Sequence, residues 1–103
     1  MRKTKKIKTV TPNSFFEFVP QSELDFHNLG ELTTYDIEKY LNEFLEDCYI
    51  NKLSRVLVVT GKGLIVRPLV LRLLRNHKYV DGYKPAGYFN GQSGAVEIEL
   101  VGE

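Results

Sequence analysis

The stretch Arg55-Val56-Leu57-Val58-Val59-Thr60-Gly61-Lys62-Gly63 decides the fold of this 103-residue chain. Its apolar part, residues 56–59, is typical of a strand that is covered on both faces, as in a parallel sheet. The glycine-containing loop 60–63 ends this strand. Because Pro68 is tolerated only in the first turn of a helix, the next helix is predicted to begin at residues 65–67. The apolar stripe of that helix comprises Val66, Leu69, Val70, Leu73 and Leu74.

Two elements are predicted before this stretch. Residues 23–27 alternate polar and apolar side chains, which predicts a strand with Asp25 and His27 on one face. Residues 34–51 carry apolar side chains at three- and four-residue intervals, which predicts an amphipathic helix capped by Thr33 or Thr34. The stripe of this helix comprises Ile37, Tyr40, Leu41, Phe44, Leu45 and Cys48, and its outer face is acidic.

Residues 85–101 predict a β-hairpin with arms at 85–89 and 95–101 and a glycine-rich tip at 90–94. In the second arm, apolar and acidic side chains alternate between the two faces. The element order is therefore strand, helix, strand, helix, strand, strand. This order predicts one α/β domain over residues 14–103, and the length leaves no room for a second domain.

Positive charge is concentrated at the start of the chain, although the net charge is only +1. The first twelve residues hold five Lys or Arg and no acid, whereas the remainder holds nine against thirteen Asp or Glu. We predict that residues 1–13 form a basic flexible arm that contacts a polyanion. The count alone fits a solubilising N-terminus equally well. The basic residues are Arg2, Lys3, Lys5, Lys6 and Lys8.

The composition also indicates the cellular compartment in which the protein is found. Cys48 is the only cysteine, which excludes an internal disulfide and fits a reducing environment. No apolar run approaches the ~20 residues that span a bilayer. The basic N-terminus is not followed by the apolar segment of a secretory signal. We therefore predict a cytoplasmic protein without membrane contact, and a monomer is assumed.

The polar residues that follow the first two strands are predicted to meet. A strand–helix–strand crossover makes the two strands parallel, and ligands of open α/β sheets bind beyond the carboxyl ends of such strands. The first strand ends in Asp25-Phe26-His27 and the second in Thr60-Gly61-Lys62-Gly63. The sequence therefore predicts one site that contains both segments.

The loop at residues 60–63 has the features of a phosphate cradle. It leads into a helix N-terminus, where free N–H groups and the helix dipole attract anions. Its glycines allow close approach of the backbone, Lys62 adds a charge, and Arg67 follows about one turn later. The alternative is a tight turn with a solvated lysine. The loop lacks the full GxxxxGK[ST] pattern, which disfavours nucleotide hydrolysis.

Asp25 and His27 are candidates for catalysis. Attack on a phosphodiester needs a base for the nucleophile and stabilisation of charge on the phosphate oxygens, which His27 and Lys62 can supply. The alternative is that Asp25 caps a turn and His27 is half-buried. No cluster of acids accompanies Asp25, which disfavours a two-metal site. We predict no metal or cofactor, and divalent-ion dependence stays open. His77, near the end of the second helix, is interpreted as a residue that complements the helix dipole rather than as a ligand.

The hairpin tip adds a third candidate contact. The glycines of residues 90–94 allow the backbone to approach nucleic acid, while Tyr88 or Phe89 stacks on a base. Tyr83 and Lys84 would extend this face. The alternative is an ordinary turn in front of core aromatic residues.

These three segments resemble the Smr (small MutS-related) domain family. Its Leu-Asp-Leu-His-Gly, Thr/His-Gly-Lys-Gly and Gly-Gly-x-Gly-Ala patterns stand here as Leu24-Asp25-Phe26-His27-Asn28, Thr60-Gly61-Lys62-Gly63 and Gly91-Gln92-Ser93-Gly94-Ala95. Arg67-Pro68 matches the opening of the family's second helix, and the resemblance spans about residues 22–101. The chain departs from the pattern at Asn28 and Gln92, where the family has glycine.

The resemblance implies a β-α-β-α-β-β two-layer sandwich similar to the C-terminal domain of bacterial translation initiation factor three. It also implies DNA or RNA binding and, in several members, endonuclease or nicking activity. The family's functional motifs map onto Asp25, His27 and residues 61–63.

Three functional hypotheses follow. The first is an Smr-like endonuclease with His27 as general base or acid, Asp25 as its orienting partner, and Lys62 with the loop amides as phosphate clamp. The second is a non-catalytic DNA- or RNA-binding module in RNA metabolism or at the ribosome. The third is a protein-interaction domain that uses the acidic first helix. The predicted nucleic-acid contacts are Thr60, Gly61, Lys62, Gly63, Arg67, Gly91, Gly94, Lys3, Lys5 and Lys6.

Overall fold

The computed structural model describes residues 18–87 and 91–102, and within them four strands and two helices. The strands are β1 (Ser22–Asp25), β2 (Arg55–Val59), β3 (Val80–Pro85) and β4 (Ala95–Leu100). The helices are α1 (Thr34–Ile50) and α2 (Val66–Arg75). Short 3-10 turns at Phe26–Asn28 and Gln92–Gly94 follow β1 and precede β4. The predicted basic arm at residues 1–13 and the pair Tyr88-Phe89 lie outside the described residues.

The four strands form one mixed sheet in the order β1-β2-β4-β3. β1 and β2 are parallel, as the crossover predicts, whereas β4 is antiparallel to both β2 and β3. Asp25 and Val59, the last residues of the two parallel strands, are paired in register. The loops that follow β1 and β2 therefore leave the sheet at the same edge.

Both helices pack on one face of the sheet, which gives the predicted two-layer sandwich. Val56 and Val58 of β2 and Val96 and Ile98 of β4 are fully buried beneath them. Burying each such side chain stabilises the fold by roughly 1.5–3 kcal/mol. The helices contribute Ile37, Leu41, Leu45, Cys48, Leu69, Val70 and Leu74 to this core.

The opposite face of the sheet is also covered at its centre. Leu57 is buried there with Ala86 and Ala95, which explains the unbroken apolar run of β2. Glu97 points to the same face and is only 3% exposed. Its Oε2 accepts a hydrogen bond of 2.8 Å from the Gly87 N–H, which compensates the cost of burying a carboxylate.

The third strand differs from the prediction. The hairpin arm predicted at residues 85–89 is wrong in position, because β3 runs from Val80 to Pro85. Asp81-Gly82 has the composition of a turn, but the register shifts between Val80 and Gly82, so this dipeptide lies at a β-bulge. Pro85 ends an edge strand, where a missing N–H is tolerated.

A capping box begins α1 at the predicted position. The Thr33 Oγ1 accepts a 3.0 Å hydrogen bond from the Asp36 N–H, and the Asp36 Oδ2 accepts one of 3.2 Å from the Thr33 N–H. Two backbone donors that the helix itself leaves unpaired are thereby satisfied. The helix ends at Ile50, one residue short of the prediction.

We predict that Thr33→Ala lowers the free energy of unfolding by about 1 kcal/mol, because the capping hydrogen bond is lost. Thr34→Ala is the matched control, since Thr34 is the first helical residue and is exposed. Urea unfolding followed by circular dichroism measures both. Equal stability of the two variants would contradict the capping assignment.

His77 joins the two helices. Its Nδ1 accepts a 3.2 Å hydrogen bond from the Tyr79 N–H, so its Nε2 carries the proton and donates to the Asn42 Oδ1 at 2.9 Å. Burial lowers the pKa of His77 below its ordinary value of 6.5, and the charge of Lys78 lowers it further. The predicted role as a cation that complements the dipole of α2 is therefore wrong, because the imidazole is neutral and links α1 to the segment that follows α2.

The lowered pKa of His77 gives a pH dependence of stability. Below pH 6.5 the unfolded chain takes up a proton that the folded chain resists, so the free energy of unfolding falls as the pH decreases from this value toward the folded pKa. Urea unfolding measures how the free energy of unfolding changes with pH in the wild type and in His77→Gln. The range from about pH 7.5 to about pH 5 brackets the ordinary histidine pKa of about 6.5. We expect a shallower slope in the variant. Parallel slopes would refute the assignment.

Candidate functional site

β1 ends at Asp25 because the Asp25 side chain caps a turn. Its Oδ1 accepts a 2.8 Å hydrogen bond from the His27 N–H, and its Oδ2 accepts one of 2.9 Å from Asn28 Nδ2. Phe26 is buried in the main core and anchors this turn. The prediction that the strand continues to His27 is therefore wrong, because the turn lifts the exposed His27 out of the sheet.

The His27 imidazole lies against the loop that follows β2. Gly61 adopts a φ of +74°, a left-handed conformation that favours glycine. A methyl group on Gly61 would lie 3.4 Å from Cδ2 of His27. The structure therefore brings together the segments that end β1 and β2, and the exposed Lys62 directly follows the point of contact.

The segment before β4 is fixed to the same loop. The Gly94 carbonyl accepts hydrogen bonds of 2.9 Å from both the Thr60 N–H and the Gly61 N–H. The buried Thr60 hydroxyl donates to the Gly61 carbonyl at 2.7 Å. The Gly61 amide is thus engaged within the protein. Amides without a protein partner in the described part of the loop are those of Lys62 and Gly63.

Arg67 and the hairpin tip complete the surroundings of the loop. The Arg67 Nη1 donates to the Ala95 carbonyl at 3.3 Å and ties the start of α2 to β4. Gly91 and Gln92 have φ values of +97° and +51°. Gln92 thus has a left-handed backbone although it stands where the family pattern has glycine.

Two features of this site escaped sequence reasoning. The hydrogen bond from Asn28 to Asp25 is signalled by an Asn three residues after an Asp, since both residue types form local turns. The carbonyl groups of Gly94 and Ala95 act through their main chain, which no residue type reveals. The hydrogen bonds to the Gly94 and Ala95 carbonyls form because β4 lies between β2 and β3 in the sheet.

Residues 18–87 and 91–102 contain neither a cluster of metal ligands nor a helix that could cross a membrane. No group of three or more His, Cys, Asp or Glu side chains there is arranged to hold a metal ion. Neither α1 nor α2 combines the length and apolar character that crossing a bilayer requires.

The two loop glycines should respond differently to substitution. We predict that Gly61→Ala lowers the free energy of unfolding by about 1–2 kcal/mol, because alanine is strained at positive φ. Gly63→Ala is the matched control, since its φ is not positive and a methyl group there would meet nothing within 4 Å. Urea unfolding measures both. A stable Gly61→Ala protein would contradict the conformation assigned to this loop.

Comparison with known proteins identifies relatives. A family model described as the Smr domain matches residues 24–101. Endonuclease MutS2 of Clostridium botulinum (strain Eklund 17B) is 34% identical over 82 residues, which cover 78% of this chain and 10% of that protein. Endonuclease MutS2 of Clostridium beijerinckii is 32% identical over 84 residues, covering 80% and 10% respectively. The chain thus spans about a tenth of the length of these curated relatives.

Two solved structures share the fold. The Smr domain of Thermus thermophilus MutS2 superposes with a TM-score of 0.67 at 24% identity, covering 81% of this chain and 99% of that one. YdaL, a stand-alone small MutS-related protein from Escherichia coli, superposes with a TM-score of 0.68 at 29% identity, covering 79% and 66%. Since the family model also contains all three segments of the site, the chain belongs to the Smr domain family.

Proposed function

We propose that this Smr domain binds nucleic acid where β1 and β2 end and hydrolyses phosphodiester bonds there. The proposal rests on one observation above all: the His27 ring lies beside Gly61, with Cδ2 3.4 Å from where a methyl group on Gly61 would be, and the exposed Lys62 follows. A proton acceptor and a cation are the two groups that phosphodiester hydrolysis needs close together. The name of the matched relatives, Endonuclease MutS2, fits this activity.

Each group has a role in the proposed reaction. His27 accepts a proton from the attacking water as its oxygen bonds to phosphorus, and the bond from phosphorus to the leaving oxygen breaks. Lys62 and the amides of Lys62 and Gly63 stabilise the negative charge that builds up on the non-bridging oxygens. The leaving oxygen takes a proton from His27 or from water.

Asp25 acts as a positioning residue. Its carboxylate holds the His27 main chain through one oxygen and the Asn28 side chain through the other. The imidazole is thereby presented to the loop at Gly61, and among the described contacts the Asp25 carboxylate accepts from the His27 main chain and not from its ring.

The predicted nucleic-acid contacts divide into three groups. Thr60, Gly61, Gly94 and Arg67 hydrogen bond within the protein and give the site its shape. We assign the direct phosphate contacts to Lys62 and Gly63, with Gly91 at the hairpin tip. Lys3, Lys5 and Lys6 lie outside the described residues, and a phosphate contact from the arm stays part of the proposal.

A cleavage assay on supercoiled DNA and on structured RNA, with and without divalent ions, tests the proposed activity. We expect His27→Ala to lower the cleavage rate at least ~100-fold, because a general acid–base group is removed. His77→Gln is the matched histidine control and retains the wild-type rate. Substrates left intact by the wild type, or cut equally by His27→Ala, would reject catalysis at this site.

A non-catalytic nucleic-acid-binding module is the second candidate. One observation favours it: both carboxylate oxygens of Asp25 accept hydrogen bonds within the turn at residues 25–28. The Asp25 carboxylate therefore does not pair with the His27 ring. This candidate requires binding without cleavage, weakened by salt in proportion to the phosphates that are neutralised. If the arm contributes, removing residues 1–12 flattens that salt dependence.

A further inference from the structure

Large aliphatic side chains are exposed beside the site. Leu64 and Ile65, which follow the loop at residues 60–63, are 91% and 66% exposed. Leu29, two residues after His27, is also exposed. The segment that carries Leu29 and the segment that carries Leu64 and Ile65 leave the sheet at the same edge, because β1 and β2 are parallel and Gly61 lies beside His27. We call these three residues the aliphatic rim.

The rim is separate from the apolar surface that folds the domain. The buried stripe of α2 comprises Leu69, Val70 and Leu74, and the helix begins only at Val66. Leu64 and Ile65 therefore precede the helix and lie outside its core-facing side. Water solvates such side chains poorly, so an exposed group of them marks a contact surface.

The charge around the rim favours a polyanion as the occupant. Lys62 and Arg67 flank Leu64 and Ile65 in the chain, and the segment from residue 48 to residue 80 contains no Asp or Glu. Lys62 is exposed two residues before Leu64. A partner for this surface must offer negative charge and apolar faces within a few ångströms of each other. Nucleic acid does so, since its phosphates flank the faces of its bases.

We propose that Leu64 and Ile65 form a wedge that enters a base step next to the phosphate held by Lys62. Aliphatic side chains that enter a base step part the stacked bases and cover their faces. Parting the bases costs least where they are unpaired. The substrate class is therefore nucleic acid with a weakly stacked or unpaired base at the contact. This inference rests on the proposed function.

Two DNA duplexes of one sequence test the wedge. Both carry 2-aminopurine, which fluoresces more strongly when unstacked; in one duplex it is paired and in the other it is bulged. We expect the wild type to bind the bulged duplex more tightly and to raise the fluorescence. Ile65→Ala should bind the bulged duplex about tenfold more weakly and lose the fluorescence increase, because less apolar surface covers the base.

Ile50→Ala is the matched control. Ile50 is 63% exposed and ends α1, which leads back to the opposite edge of the sheet where β2 begins. We expect it to bind both duplexes like the wild type. Leu64→Ala should behave like Ile65→Ala, and thermal unfolding of each variant shows that the fold is retained.

Each contrary outcome has a distinct meaning. If Ile65→Ala matches Ile50→Ala on both duplexes, the wedge is wrong and nucleic-acid binding stands. If the wild type binds neither duplex nor structured RNA at low salt, the proposed function fails and the wedge fails with it. If sedimentation shows a wild-type dimer that Ile65→Ala dissociates, the rim contacts a second copy of the chain and the wedge is overturned.

Discussion

The carbonyl oxygen of Gly94 holds the site together. It accepts hydrogen bonds from two successive amides, those of Thr60 and Gly61, and so fixes the segment before β4 to the loop after β2. Gly61 can donate in this geometry because it adopts positive φ. Gly61 also borders the turn after β1, since a methyl group there would lie 3.4 Å from Cδ2 of His27. This pair of hydrogen bonds thus fixes two of the three sequence segments of the family, and the parallel pairing of β1 with β2 brings the third beside them.

The sheet determines why these segments meet. β1 and β2 are parallel and paired to their last residues, so the turn at His27 and the loop at Gly61 are neighbours. β4 enters on the other side of β2 in the antiparallel direction, so it begins where β2 ends. The position of the site is therefore a consequence of strand order. Its chemistry depends on the few side chains, His27 and Lys62 above all, that the topology leaves exposed at this edge.

Much of this arrangement was predictable from local patterns, and the exceptions have physical causes. The bounds of α1 and α2 followed from apolar periodicity, Thr33 and Pro68, because helix signals are local. β3 was misplaced because Asp81-Gly82 forms a bulge with the composition of a turn. The meeting of the segments that follow β1 and β2 was foreseen from the crossover. The hydrogen bond from the Gly61 amide to the Gly94 carbonyl was not foreseen, because it depends on the main-chain geometry of two segments that are distant in the sequence.

The central claim is that His27 and the loop at Lys62 hold one phosphodiester between them. Nuclear magnetic resonance tests this most directly, by titrating the labelled protein with a short single-stranded oligonucleotide. The account predicts that the His27 ring signals and the Lys62 and Gly63 amide signals shift together with one dissociation constant. Shifts confined to the acidic face of α1, with His27 and Lys62 unchanged, would contradict it.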